Sequence, residues 1–395
     1  MNDNLTKNVR RRSVFLIGGY EPKSSDAFFK RTRREMNRFC ETWNVKAQMH
    51  EQSLSTDQLV ATAKVDTEIH GVAVESKINF FVWNDVVLRD FQRPTAIRVA
   101  KYLVTFCDYL LTGTFFKMVS QAWRFSLYFL YPVVMLSLIA MLSSAVGFGI
   151  SRMAFAFAST IGLVAGLGIC YLLLKITGRR WYVLHLMDLW SFSRNYLRGK
   201  RPDARKLIDR FAESVVDQAT HGQDDEIILV GHSTGGALIL DIAATALEKL
   251  PGLGTVGPSV TVLTVGSTAL KIGLHPAAVD FRSRVQCLVD AQAIRWIECQ
   301  AMTDVINFYK TDPVSAMNLS SSRAEPIPQV HVVRIRDMLQ PEIYKRFRYN
   351  FFRVHYQFIM ANTKQYAYDF FMMCCGERPF VENLGNTLRY TKSSR

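Results

Sequence analysis

Residues 231–235 read Gly-His-Ser-Thr-Gly, with a glycine two positions away on each side of Ser233. A serine hydroxyl is a weak nucleophile until a base takes its proton and the side chain stands clear of its neighbours. The spacing answers the second need. Gly-x-Ser-x-Gly marks a sharp strand-to-helix turn, and its glycines remove Cβ atoms that the turn would bring into collision. The serine itself sits in a strained conformation there. The flanks fit this reading. Glu-Ile-Ile-Leu-Val at 226–230 reads as a short buried strand, and the apolar run from 236 follows helical spacing after small residues. Gly231 and Gly235 are then the elbow glycines. The expected chemistry is attack by Ser233 on an acyl carbonyl, with the positive end of a helix dipole beside the developing anion.

On this elbow, the strand–helix units that follow it and the first strand of the chain, the sequence resembles the alpha/beta-hydrolase superfamily, and within it the lipases and carboxylesterases. The resemblance implies a triad in chain order serine, acid, histidine. Of the histidines after Ser233, His275 lies in a Leu-His-Pro loop and comes early for that order. His331 falls in a strand-like stretch, where packing or solvent accounts for it. His355, in Phe-Phe-Arg-Val-His-Tyr, stands beyond the last expected strand, where the resemblance places the base. The alternative reading of His355 is a histidine on an amphipathic helix.

For the acid, Asp304 follows the strand-like run 294–301 and so reaches the elbow face of a parallel sheet. Its segment is similar to the acid segment of lipases. Asp312, in Thr-Asp-Pro-Val, remains an alternative, although Asp-Pro also makes a turn. Asp290 precedes the strand. An oxyanion hole needs two backbone N–H donors. Thr234, after the nucleophile, supplies one; by resemblance Gly19 or Tyr20, ending the first strand, supplies the other. No His, Cys or carboxylate cluster has metal-ligand spacing, no phosphate-binding glycine loop is present, and no cofactor is expected.

These residues need a scaffold. Apolar run 13–18 reads as a strand and basic stretch 25–43 as a helix. Strands are expected at 44–50, 67–74 and 77–83, then amphipathic helices over 85–124 broken at Pro94. Helices at 181–197 and 204–219 follow, then strand 226–230, helix 235–250, strand 259–266, helix 277–290 and strands 294–301 and 329–335. Alternation of this kind specifies an α/β fold, a mainly parallel sheet with helices on both faces.

The 395 residues carry 48 Lys+Arg against 34 Asp+Glu, a net charge of +14, and 49% of them are hydrophobic. That hydrophobic share excludes a disordered chain, and the 22 Gly and 12 Pro exclude a collagen-like one. The mean hydropathy is nonetheless slightly positive. The cause is local. Residues 125–151 carry no charge, and after Arg152 neither do residues 153–174. A bilayer core is crossed by about 20 helical residues, so this stretch holds a two-span hairpin with a turn expected at Gly147, Gly149 and Arg152. Basic residues flank it on both outer sides (Lys117, Arg124; Lys175, Arg179, Arg180), which orients both flanks and both termini to the cytoplasm. The N-terminal stretch lacks the apolar core of a signal peptide. Seven cysteines without a Cys-x-x-Cys pair read as reduced thiols.

The expected organisation is residues 1–90 and 176–395 as one hydrolase domain, 91–124 as membrane-proximal helices and 125–175 as the transmembrane hairpin. Helical residues 97–123 would cover the site as a lid or simply face the core. The basic clusters at 10–12 and 30–34 lack any nucleic-acid-binding motif, so the expected partners are the lipid bilayer and an ester or lipid substrate, with no nucleic acid. A catalytically silent scaffold and an acyltransferase using the same triad are the alternatives.

Overall fold

The computed structural model describes residues 8–380. The termini, with their expected cytoplasmic placement, lie outside the described residues. The chain runs β1 (Arg11–Ile17), α1 (Ser25–Trp43), β2 (Lys46–Leu54), β3 (Val60–Ile69) and β4 (Val72–Phe81). Then come α2 (Asn84–Phe91), α3 (Thr95–Leu111), α4 (Thr114–Ser151), α5 (Ala158–Arg180), α6 (Val183–Leu197) and α7 (Pro202–His221). The second half is β5 (Glu226–His232), α8 (Gly235–Lys249), β6 (Ser259–Val265), α9 (Leu270–Gly273), α10 (Val279–Asp290), β7 (Ile294–Ala301), α11 (Pro313–Ala316) and β8 (Gln329–Val333). Helices α12 (Pro341–Phe347), α13 (Phe351–Tyr356) and α14 (Phe370–Cys375) close it.

Among the described residues eight strands form one sheet, in the order β2-β3-β4-β1-β5-β6-β7-β8. From β4 across to β8 neighbours run parallel; β2, β3 and β4 form an antiparallel meander at one edge. Side chains alternate across a strand, and β1 uses the alternation fully. Phe15 and Ile17 join a core with helices α6, α7, α8 and α10, whereas Val14 and Leu16 join a second core with α1 and α14. A strand buried on both faces must be apolar at consecutive positions, which is why 13–18 reads as an uninterrupted run.

The expected strand 67–74 is corrected by the structure. It straddles a reversal: His70 and Gly71 both have positive φ (50° and 78°), making the two-residue turn that joins β3 to β4.

The hairpin also differs from expectation. Gly147 and Gly149 lie within α4, and the turn falls later, between Ser151 and Ala158. Gly147 serves packing: a Cβ there would come 2.8 Å from the Gly162 carbonyl oxygen, and one at Gly166 would come 3.1 Å from that of Ser143. Small residues thus let the two helix backbones meet. Both helices are long and apolar enough to cross a membrane, over Thr114–Ser151 and Ala158–Gly178. Their most apolar stretches are only 11% and 17% buried inside the protein, unlike core helices of a soluble domain.

Candidate active site

Strand β5 lies between β1 and β6, and its end carries Ser233. Ser233 has φ of 59°, in the left-handed region that costs an L-residue about 1–2 kcal/mol. Neighbouring loops hold it there. Its N–H donates to the Val265 carbonyl (3.2 Å), and its own carbonyl accepts from the Thr268 and Gly236 N–H groups (3.1 and 3.0 Å). The glycines are sterically required. A Cβ at Gly235 would collide with the carbonyl oxygens of Ile17 and Gly18, and one at Gly231 would collide with Ile239 and the Gly235 carbonyl. Gly19 lies against the nucleophile, with room for a Cβ only 3.1 Å from that of Ser233.

His355 is presented by α13, whose first turn is capped by Asn350 accepting from the Arg353 N–H at 3.0 Å. The ring is buried. Its Nδ1 lies 2.7 Å from Asp304 Oδ2, across 51 residues of sequence. Asp304 sits in the loop after β7, fully enclosed, and its other oxygen accepts the Ile306 N–H at 2.9 Å. An ionised carboxylate only accepts, so Nδ1–H is the donor in this bond, and in a neutral ring the lone pair then stands on Nε2. Nε2 is buried and makes no hydrogen bond, so the Ser233–His355 bond is not closed in this structure. Both side chains nevertheless line one cavity of about 660 Å³. Bonds of this kind are commonly long before substrate arrives.

Two features seat the imidazole that sequence reasoning passed over. Gly266 follows β6 with φ of 53°, and a Cβ there would press to 3.0 Å from His355 Cε1. His232 Nε2–H donates to the His355 carbonyl at 3.1 Å, with the two rings 4.6 Å apart. Burial, followed by the nearby His355, holds the His232 pKa well below the usual histidine range, so it serves as a neutral prop.

The structure separates the remaining candidates from the site. Asp312 caps α11: its Oδ1 accepts from Val314 and Ser315 N–H (2.8 and 3.3 Å) and its Oδ2 from the Ser315 hydroxyl (3.1 Å). His275 lies 3.3 Å from Asp108 and packs on Tyr109. His331 is on β8 at the sheet edge. Asp290 ends α10 and accepts from Gln286 at 2.8 Å.

Gly19, Tyr20 and Thr234 border the cavity beside Ser233. Among the described residues none of their three N–H groups is taken up by another acceptor. Tyr20 is pinned from behind: its hydroxyl donates to Asp90 at 2.6 Å, and Asp90 also receives Arg201 at 2.6 Å. This arrangement offers free backbone donors next to a serine held at a strained turn, which is what a developing oxyanion requires.

Another part of the cavity wall comes from helices whose apolar sequence gave no sign of it. Tyr171, Lys175 and Gly178 of α5 line the cavity, as do Tyr182 and His185 just beyond. Burial and then the charges of Arg98 and Lys271 push His185 down to about 4, so it too is neutral near pH 7. Among the described residues no group of His, Cys, Asp and Glu side chains is arranged to hold a metal ion. Searches for related proteins, against family models, curated proteins and solved structures, returned no match to this chain.

Proposed function

We propose that this chain is a membrane-anchored serine hydrolase that cleaves a carboxylic ester of a lipid through an acyl-enzyme on Ser233. One observation carries the reading. A serine at positive φ shares a cavity with a buried Asp304–His355 pair whose Nε2 is unpartnered. In this reading His355 Nε2 takes the hydroxyl proton as Ser233 Oγ attacks the ester carbonyl. The Thr234 N–H and that of Gly19 or Tyr20 hold the tetrahedral anion. His355 then protonates the leaving alcohol, and water, deprotonated by the same nitrogen, releases the acid. The resemblance to alpha/beta-hydrolases supports the assignment of roles, and the six parallel strands from β4 to β8 are compatible with it.

The lipid part of the reading rests on the α5 wall. A cavity bounded by the base of an apolar hairpin receives a molecule most directly from the adjacent leaflet, without a full passage through water. Trp181 and Tyr182, exposed at the end of α5, have the amphipathic character of interface anchors.

The reading is tested by reaction of the full-length protein in bilayer nanodiscs with a fluorophosphonate, which esterifies an activated serine. Absence of reaction would leave the silent-scaffold alternative, and acyl transfer to added alcohols would turn the assignment to an acyltransferase. Topology makes a separate prediction. If the basic flanks are cytoplasmic, as the excess of positive charge suggests, a protease site inserted at the turn between Ser151 and Ala158 is cleaved only from the opposite side. Cleavage there from the cytoplasmic side would contradict the spanning arrangement.

A further inference from the structure

Lys271 is the least expected side chain near the elbow. It lies on α9, in the apolar sequence Ala-Leu-Lys-Ile-Gly, and is 1% exposed. No carboxylate lies within ion-pairing distance among the described residues. Its Nζ makes one hydrogen bond, to Thr234 Oγ1 at 2.8 Å, and stands 5.8 Å from the Trp190 ring. The backbone of the same residue is tied at both ends. Its N–H donates to the Thr268 carbonyl at 3.1 Å, and its carbonyl accepts the buried Tyr109 hydroxyl at 2.9 Å.

An unpaired buried lysine costs stability, and an apolar side chain of the same length would suit this site better. The packing around α9 therefore gives no reason for a lysine. Its one partner does. Thr234 is the residue after Ser233; it borders the cavity, and its N–H has no acceptor among the described residues. The segment from Thr268 into α9 grips the elbow twice: Thr268 N–H holds the Ser233 carbonyl, and Lys271 holds the Thr234 hydroxyl. Burial moves the Lys271 ammonium well below the usual lysine range, but amine and ammonium alike donate N–H to a hydroxyl oxygen, so the grip does not depend on protonation.

We propose that Lys271 is a positioning residue of the oxyanion site: by holding the Thr234 side chain it keeps the Thr234 N–H directed at the anion formed on Ser233. This rests on the hydrolase reading above. Lys271 touches no reacting atom and acts only through Thr234.

The test uses the full chain in nanodiscs and a fluorophosphonate, whose P=O oxygen occupies the oxyanion position, with the maximal rate of modification separated from the half-saturating probe concentration. Loss of a direct oxyanion donor costs about 10²–10³-fold, so loss of a residue that aims one is expected to cost about tenfold in the maximal rate. Lys271→Met and Thr234→Val should each show this loss, with half-saturation within about twofold of wild type. The double variant should be no slower than the slower single variant, because both remove the same hydrogen bond. Thr234→Ser, which keeps the hydroxyl, should restore the rate. A Lys271→Met rate equal to wild type, or losses that multiply in the double variant, would overturn the proposal. Should Lys271→Met not fold, Thr234→Val decides alone, since a wild-type rate there removes the role of the bond. Wild-type protein that does not react at all would instead bring down the hydrolase reading itself.

Discussion

Ser233→Ala is expected to lower ester hydrolysis by about 10⁶-fold, the scale of loss when the nucleophile is removed from an otherwise intact triad. The fold should be unaffected. Alanine keeps the Cβ, and the hydrogen bonds that fix the elbow come from the backbone of residue 233 rather than its side chain. The companion variant Ser233→Gly separates activity from stability. With φ of 59° the serine carries a strain that glycine does not. Ser233→Gly should therefore be equally inactive yet more stable by about 1 kcal/mol, read as a raised thermal midpoint in the same detergent or nanodisc preparation. Equal activity of wild type and Ser233→Ala would remove the serine from the chemistry.

Asp304→Asn is expected to cost about 10⁴-fold in kcat with little change in KM. The reason is a matter of which nitrogen holds the proton. Asp304 Oδ1 accepts the Ile306 N–H, so an asparagine keeping that bond turns its amide nitrogen toward His355 Nδ1. The ring must then accept at Nδ1 and carry its proton on Nε2, the position that has to take the serine proton. Asp312→Ala should behave oppositely. It removes a helix cap, costing about 1 kcal/mol of stability, and leaves kcat unchanged because, among the described residues, the Asp312 side chain bonds only to the first turn of α11. If Asp312→Ala were the inactive variant and Asp304→Asn the active one, the assignment of the acid would be reversed.

Much of the scaffold was legible because it follows local periodicity. From β5 to β7 the strands and the helices α8 and α10 lie close to where their apolar runs place them, whereas the short α9 (Leu270–Gly273) was not expected; the glycines at 231 and 235 mark the turn between β5 and α8. Reading failed where one residue type serves two purposes. Gly147 and Gly149 look like a turn, but a glycine on an apolar helix also permits close helix contact, and Gly147 is used for that. At 67–74 strand-forming residues stand on both sides of the His70-Gly71 reversal, with Ile69 paired to Val72, and the turn shows only as a one-residue slip of the alternation, from odd positions in β3 to even ones in β4. The site divides in the same way. Pattern alone singled out Ser233. The pairing of Asp304 with His355 was expected through a family resemblance, since nothing in spacing brings residues 51 apart into contact. Lys271, Gly266 and the α5 wall had no local signal at all: their significance comes from the three-dimensional neighbours they meet.

The central claim is that Ser233 is an activated nucleophile. The most direct measurement is mass-spectrometric location of a fluorophosphonate adduct on the full-length protein in nanodiscs, with Ser233→Ala alongside. The account predicts a single adduct on the peptide containing Ser233, absent from Ser233→Ala and formed far more slowly by Asp304→Asn. An unmodified Ser233 under conditions that modify a known serine esterase, or an adduct that persists in Ser233→Ala, would contradict it.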